Sequence, residues 1–348
     1  MIWNELLGHQ GNVDFFRRGL ANNRLASTYL FVGPSGVGKG LFARLLTQAL
    51  ICEEVEGLNA CGQCSSCQQV HSESHPDVQV IRKPAEKSFL PVEKFIGDRE
   101  HRMREGLCHF ISLKPSGRYK VGIIEDADYL NAEGANSLLK TLEEPPAQAL
   151  LILLSSSEQK QLPTIRSRCQ IVRFGELRKS EIEQLLLKYK KADPQTVARI
   201  ACYGNGSMAR AEQLLDEEVL EFYEEFWKLL EKVGGNRDST IKLVGHFCEQ
   251  AGKESSRRRE RMIMVCDFAA EHFRMRLTRL VERGHSSREL LEEYQDRLLA
   301  CIERTFEVID QVHANINQST LLECWIDELI LLLSGLPLPP SLVLPTIE

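Results

Sequence analysis

Between Tyr29 and Leu50 the chain runs through a short apolar strand (Tyr29-Leu30-Phe31-Val32), a glycine-rich turn (Gly33-Pro34-Ser35-Gly36-Val37-Gly38-Lys39-Gly40) and a helix. That order constrains the fold more than any other stretch, because it builds a phosphate cradle. Glycines at 33 and 38, with Gly36 between them, let backbone N–H groups turn inward. The helix N-terminus adds partial positive charge, and Lys39 can reach the outer phosphates of a nucleotide. Leu41, Phe42, Leu45, Leu46, Ala49 and Leu50 recur at helical spacing and predict a core-facing helix. The motif wants Ser or Thr after the lysine to hold Mg²⁺, and here Gly40 follows. The loop is expected to cradle phosphate with a weakened metal grip.

A chain of 348 residues, 43% hydrophobic and 26% charged, is long enough for two or three domains with proper cores and is not a disordered chain. A net charge of −6 argues against a protein that coats nucleic acid on its own. No run reaches the roughly 18 apolar residues of a membrane span, and Met-Ile-Trp-Asn-Glu-Leu-Leu lacks a signal-peptide layout. The expectation is a cytoplasmic protein.

In a reducing compartment, eleven cysteines do not make a disulfide framework, so clustered ones read as metal ligands or thiols. Cys52 followed by Cys61-Gly62-Gln63-Cys64-Ser65-Ser66-Cys67 can close a tetrahedral thiolate cage, and Zn²⁺ favours four such ligands. The Cys-x₂-Cys-x₂-Cys step also opens iron–sulfur sites, but the ferredoxin run would need cysteine where His71 stands. His71 and His75 are either substitute ligands or surface residues ahead of a strand.

Val13, Phe15, Phe16 and Leu20 share one face of a lead-in helix, and His9 either grips a base or lies in a surface turn. Strand patterns recur at Val78–Ile81, Val121–Ile124, Ala149–Leu154 and Cys169–Phe174, alternating with helical patterns such as Val92–Arg104 and Asn131–Glu144. With Tyr29–Val32 this predicts an α/β domain with five buried, mostly parallel strands. Glu125 and Asp126 end the third strand, where carboxylates place a metal and an attacking water, or else simply solvate the strand end. Ser155-Ser156-Ser157 either read a γ-phosphate or close a turn. Arg257-Arg258-Arg259-Glu260-Arg261 is the one strongly basic run, either a solvated helix face or a nucleic-acid contact.

Lys120–Leu130, then Ala135-Asn136-Ser137-Leu138-Leu139-Lys140-Thr141-Leu142-Glu143-Glu144-Pro145-Pro146, then Leu162-Pro163-Thr164-Ile165 and Ser167-Arg168-Cys169 carry a resemblance. They resemble the AAA+ subunits of bacterial DNA polymerase III clamp loaders, and the four cysteines stand where that family carries its zinc module. The resemblance covers the whole chain. It implies an α/β plus all-α architecture: a P-loop domain over 1–175 with a zinc module at 52–67, a helical lid over 176–217 and a helical collar over 218–348. Lid helices are expected at Glu181–Lys190, Pro194–Ala201 and Ser207–Leu215. It further implies that Gly33, Gly36, Gly38, Lys39, Glu125, Asp126 and Ser156 line a nucleotide site. Arg168 becomes a trans arginine finger reaching a neighbour's ATP. The implied partners are the gamma/tau and delta subunits in a hetero-oligomeric ring, with the sliding clamp and primed DNA met through the complex.

Two subunit types share these motifs. The motor type keeps lysine-threonine in the loop and an Asp-Glu pair, often with a long C-terminal extension; the delta-prime type has decayed ATPase residues. Gly40, Glu125-Asp126, a lid arginine at Arg210 one residue beyond its family position, and Pro337-Leu338-Pro339-Pro340 closing the chain after Asn315-Ile316-Asn317 and an apolar helix all resemble the delta-prime type. That type implies a structural zinc, ATP bound weakly or not at all, and little turnover. The alternative is an ATP-hydrolysing motor subunit of the same machine.

Overall fold

The computed structural model describes residues 2–84, 87, 89–97, 106–190, 193–231, 236–252, 254–283, 288–314 and 316–334. The end of the expected Val92–Arg104 helix, Asn315 and the Pro337–Pro340 stretch lie outside these residues. The chain divides into two compact units, 1–215 and 216–348.

In the first unit, α1 (Gln10–Ala21) leads into β1 (Thr28–Val32) and α2 (Lys39–Ile51). Then follow α3 (Ser65–His71), β2 (Val78–Ile81), α4 (Glu93–Ile96), α5 (Leu107–Ser112), β3 (Lys120–Ile124), α6 (Ala132–Glu143) and β4 (Ala149–Ser155). A single turn α7 (Pro163–Arg166) precedes β5 (Gln170–Arg173), and α8 (Lys179–Lys190), α9 (Pro194–Tyr203) and α10 (Met208–Gln213) complete the unit. The five strands pair in the order β2-β3-β4-β1-β5, and every pairing is parallel. Parallel pairing puts all strand C-termini on one rim.

Alternation along β1 divides the core. Tyr29 and Phe31 pack on one face with Val13, Phe16, Phe42 and Leu46 from α1 and α2. Leu30 and Val32 pack on the other with Phe95, Leu107, Ala135 and Leu138. Both faces are apolar because a parallel sheet is covered on both sides, and each fully buried large side chain contributes roughly 1.5–3 kcal/mol.

Two local outcomes differ from the sequence pattern and one matches it. Within the described residues the Val92–Arg104 helix is one turn, ending where Gly97 takes a φ of 81°. Apolar spacing alone does not register that glycine. The short helices α3 and α5 fall below the length at which periodicity speaks. Asn131 caps α6 as expected, its side chain accepting from Gly134 N–H at 2.8 Å.

The second unit is helical throughout its described residues: α11 (Glu217–Glu231), α12 (Arg237–Gln250), α13 (Ser255–Arg283), α14 (Arg288–His313) and α15 (Gln318–Leu333). Phe222, Phe226, Phe247, Phe268, Phe273 and Trp325 are buried within it.

Candidate functional site

The glycine-rich turn joins the C-terminal end of β1 to α2, and its glycines serve different ends. Gly36 and Gly38 take φ of 76° and 101°, which side chains with a Cβ resist. Gly33 is there for space instead: a Cβ would stand 2.2 Å from the Phe174 carbonyl oxygen. Gly36 is also crowded, because its carbonyl accepts from Met208 N–H at 2.9 Å and a Cβ would stand 2.3 Å from Ser207 Oγ. The start of α10 therefore docks directly on the loop.

Lys39 Nζ donates to the carbonyls of Gly33 at 2.6 Å and Pro34 at 2.7 Å. Burial lowers its pKa to about 8, opposed by the Asp128 carboxylate, so the ammonium remains mostly protonated at neutral pH. Beside the loop lies a cavity of about 280 Å³ lined by Leu6, Leu7, Val37, Leu41, Leu177, Leu185, Tyr189 and Met208 among others. His9 is not a surface turn residue. It is buried, with Nε2 2.7 Å from the Val37 carbonyl and the ring edge-on to Phe174, and burial lowers its pKa.

The acids at the end of β3 are engaged rather than solvated. Arg82, the residue after β2, donates to both oxygens of Glu125 at 2.7 and 3.1 Å. Asp126 Oδ2 accepts from Lys83 N–H at 2.8 Å. Asp128 ties β3 to the end of β4: it accepts the Ser156 N–H at 2.9 Å and lies 2.5 Å from Ser155 Oγ. Ser155 is thus a buried turn-closing hydroxyl, and Ser156 enters this network through its backbone. A Mg²⁺ ion does not fit this donor set, since Gly40 offers no hydroxyl and Glu125 is taken by a guanidinium.

Cys52 ends α2, and Cys64 caps α3 by accepting from the Cys67 N–H. The sulfurs of Cys52, Cys61, Cys64 and Cys67 all lie within 4.8 Å of one another, with Cys61 Sγ 3.7 Å from Cys52 Sγ and 3.8 Å from Cys67 Sγ. A tetrahedron of thiolates with Zn–S near 2.3 Å has edges of about 3.8 Å, so the four residues fit zinc. Backbone N–H groups of Gln63 and Cys64 point at Cys61 Sγ at 3.4 and 3.2 Å, as thiolate acceptors require. Neither His71 nor His75 joins the sulfur group. His75 is buried, not superficial, and its Nδ1 accepts from Asp77 N–H at 3.0 Å.

Arg168 stands at the opposite rim of the sheet, just before β5 and beside the start of β1, where Thr28 Oγ donates to its carbonyl at 2.7 Å. Its guanidinium donates to Glu143 Oε1 at 2.6 and 3.0 Å and to the Thr164 carbonyl at 3.0 Å. Ser167 Oγ donates to Thr164 O at 3.2 Å, and Cys169 is half-buried against the sheet with its thiol pKa pushed up to about 12 by burial. About 13 Å of strand separates this rim from the phosphate loop. Arg168 and Lys39 therefore do not share one site.

The basic run lies in α13 with local partners. Arg257 pairs with Glu254 at 2.9 Å, Arg258 donates to the Gly252 carbonyl at 2.6 Å, and Arg261 lies over the Phe247 ring while pairing with Glu218.

Arg82, Asp128 and Glu143 were not legible as site residues. A parallel register of β2 with β3 would have found Arg82, since Ile81 pairs with Ile124 and the next residues are Arg82 and Glu125.

The profile of the family described as DNA polymerase III, delta subunit, matches residues 8–178. The chain is 37% identical to the DNA polymerase III subunit delta' of Pseudomonas aeruginosa over 144 residues, 41% of this chain and 42% of that protein. It is 30% identical to the subunit delta' of Bacillus subtilis over 232 residues, 66% of each chain. It is likewise 30% identical to the subunit tau/gamma of Haemophilus influenzae over 224 residues, 62% of this chain and 30% of that protein. The chain thus spans 30% to 66% of the length of these relatives. Through residues 8–178 the chain belongs to the family of DNA polymerase III clamp-loader AAA+ subunits.

Proposed function

We propose that the chain acts as a delta-prime-type clamp-loader subunit in DNA replication, a largely passive member that helps load the sliding clamp onto primed DNA. One observation carries this reading: the two rims of the sheet are unequal. The phosphate-loop rim has Gly40 and an acid occupied by arginine, while the opposite rim presents a partly exposed Arg168 steadied by Glu143, Thr164 and Ser167. A guanidinium so placed serves a neighbour's γ-phosphate rather than the loop of its own chain, and such fingers contribute ~10³-fold or more to phosphoryl transfer. On this reading residues 1–175 are the P-loop domain, 176–217 the lid and 218–348 the collar, in a cytoplasmic ring with gamma/tau and delta subunits. Contact with DNA is made through the complex. Zn²⁺ held by Cys52, Cys61, Cys64 and Cys67 braces the fold and takes no part in a reaction.

The second reading, an ATPase motor subunit, draws on the match to the tau/gamma subunit. Reconstituted loaders separate the two. Arg168→Ala is expected to leave folding, zinc content and ring assembly intact while sharply reducing clamp- and DNA-stimulated hydrolysis, and Lys39→Ala in this chain is expected to change that rate little. Unaltered clamp loading by the Arg168 variant sinks the finger role. Vigorous hydrolysis by the isolated chain, abolished by Lys39→Ala, establishes the motor reading instead.

A further inference from the structure

At the rim where β2 and β3 end, one guanidinium bridges two carboxylates. Arg82 Nε and Nη2 donate to Glu125 at 2.7 and 3.1 Å, while Nη1 and Nη2 donate to Glu73 at 2.7 and 2.5 Å. Arg44, on α2, lies 3.7 Å from the same Glu73 carboxylate. The network sits against the start of the loop helix, because a Cβ on Gly40 would stand 4.0 Å from Glu125 Oε1. That is where a polyphosphate in the 33–39 loop would need its counter-cation.

We infer that Arg82 is the built-in counter-cation of this rim: it holds Glu125 where a divalent ion would, and the loop takes polyphosphate as the metal-free anion. The inference concerns the chemistry of the loop and does not depend on the clamp-loader assignment. An arginine stays charged at any working pH and grips a carboxylate with two parallel N–H groups. A divalent ion reaching Glu125 would meet that fixed charge at contact distance without gaining a hydroxyl ligand from position 40. Removing Arg82 reverses the situation. Glu73 and Glu125 both contact its Nη2, so its loss leaves two carboxylates facing one vacated position, a cation site made of the same side chains.

The test uses the zinc-loaded full chain titrated with MnCl₂, with free Mn²⁺ followed by electron paramagnetic resonance. Unsubstituted protein and Glu125→Gln are expected to bind Mn²⁺ alike. Arg82→Ala and Arg82→Gln are expected to gain one site with affinity raised at least about tenfold, lost again in the Arg82→Ala/Glu125→Gln double variant. Weaker Mn²⁺ binding on Glu125→Gln alone would mean the ion already sits there, and the inference fails. It fails equally if both Arg82 variants, with native zinc content and circular dichroism, gain nothing. Should those variants not fold, the comparison of unsubstituted protein with Glu125→Gln decides. For the anion, sodium tripolyphosphate is expected to bind equally well in EDTA and in Mg²⁺. Binding only with Mg²⁺, or none, overturns the metal-free half.

Discussion

The most consequential single residues away from the loop are Asp77 and Lys120, which pin the ends of β2 and β3. Lys120 Nζ lies 3.1 Å from Asp77 Oδ1, with side chains 7% and 1% exposed, and the ammonium also sits over the Phe110 ring. Burial alone would raise the Asp77 pKa, but the Ser116 N–H, the Lys120 ammonium and the Gly117 N–H outweigh it and hold the carboxyl below its usual range. A depressed carboxyl stabilises the fold above its unfolded pKa near 3.8, and the contribution is lost as pH falls through the lower folded value. Asp77→Ala leaves a buried ammonium without its carboxylate, so a loss of about 3–5 kcal/mol is expected in chemical denaturation. Asp77→Leu combined with Lys120→Met should cost much less. Equal losses from the single and the double change would show that the pair's charge is not what matters there.

At the scale of elements, the four-cysteine segment around α3 shows how a short helix is held. Its seven residues are too few to be stable alone, and its attachments are few and specific. Gln48 donates to the Cys67 carbonyl at 3.0 Å, Ser66 to Glu53 at 2.6 Å, and Trp3 to the Leu58 carbonyl at 2.5 Å. Metal analysis should find one zinc per chain, and its removal by a chelator should lower the thermal midpoint of the first unit while leaving the second unit's transition in place. No zinc, or iron with sulfide, overturns the assignment. The five strands and the capped α6 were legible because they are long or apolar enough for periodicity to speak, and α8, α9 and α10 lie where the resemblance implied helices. The cysteine cage was legible too, since its spacing is its own signal. Helices α3 and α5 were not, and neither was the fate of Glu125, since its partner comes from another strand and no local pattern announces it. The sequence leaves His9 and His75 two readings each, and the surface one fails for both because a lone histidine says nothing of what covers it.

Across the whole molecule, the two units carry different sensitivities. His272 in α13 is 1% exposed, its ring edge-on to Trp227, and neither ring nitrogen has a hydrogen-bond partner among the described residues. Burial, with Arg276 and Arg279 nearby, holds its pKa well below 6.5. The folded imidazole stays neutral where the unfolded one takes a proton, so stability of the second unit is present above pH 6.5 and falls below it, by up to ~1.4 kcal/mol per pH unit. Denaturation followed by fluorescence of Trp227 and Trp325 at pH 7 and pH 5 measures this, and His272→Leu should flatten the dependence. An unchanged slope in that variant would assign the acid sensitivity elsewhere.

A sheet whose strands all run one way has a giving end and a receiving end, and in this chain the two have been treated differently. Arg168 lies free of the loop at one end, and arginine fills the acid at the other. On the proposed reading, in a row of like modules each reaching into the next, such a molecule lends its arginine to a neighbour without completing a metal-dependent site of its own. Its station on that reading is a terminus, much as a monomer with one reactive group ends a growing polymer. The length and polarity of the row would then be written into one member's loss of function, with no added part required to stop it.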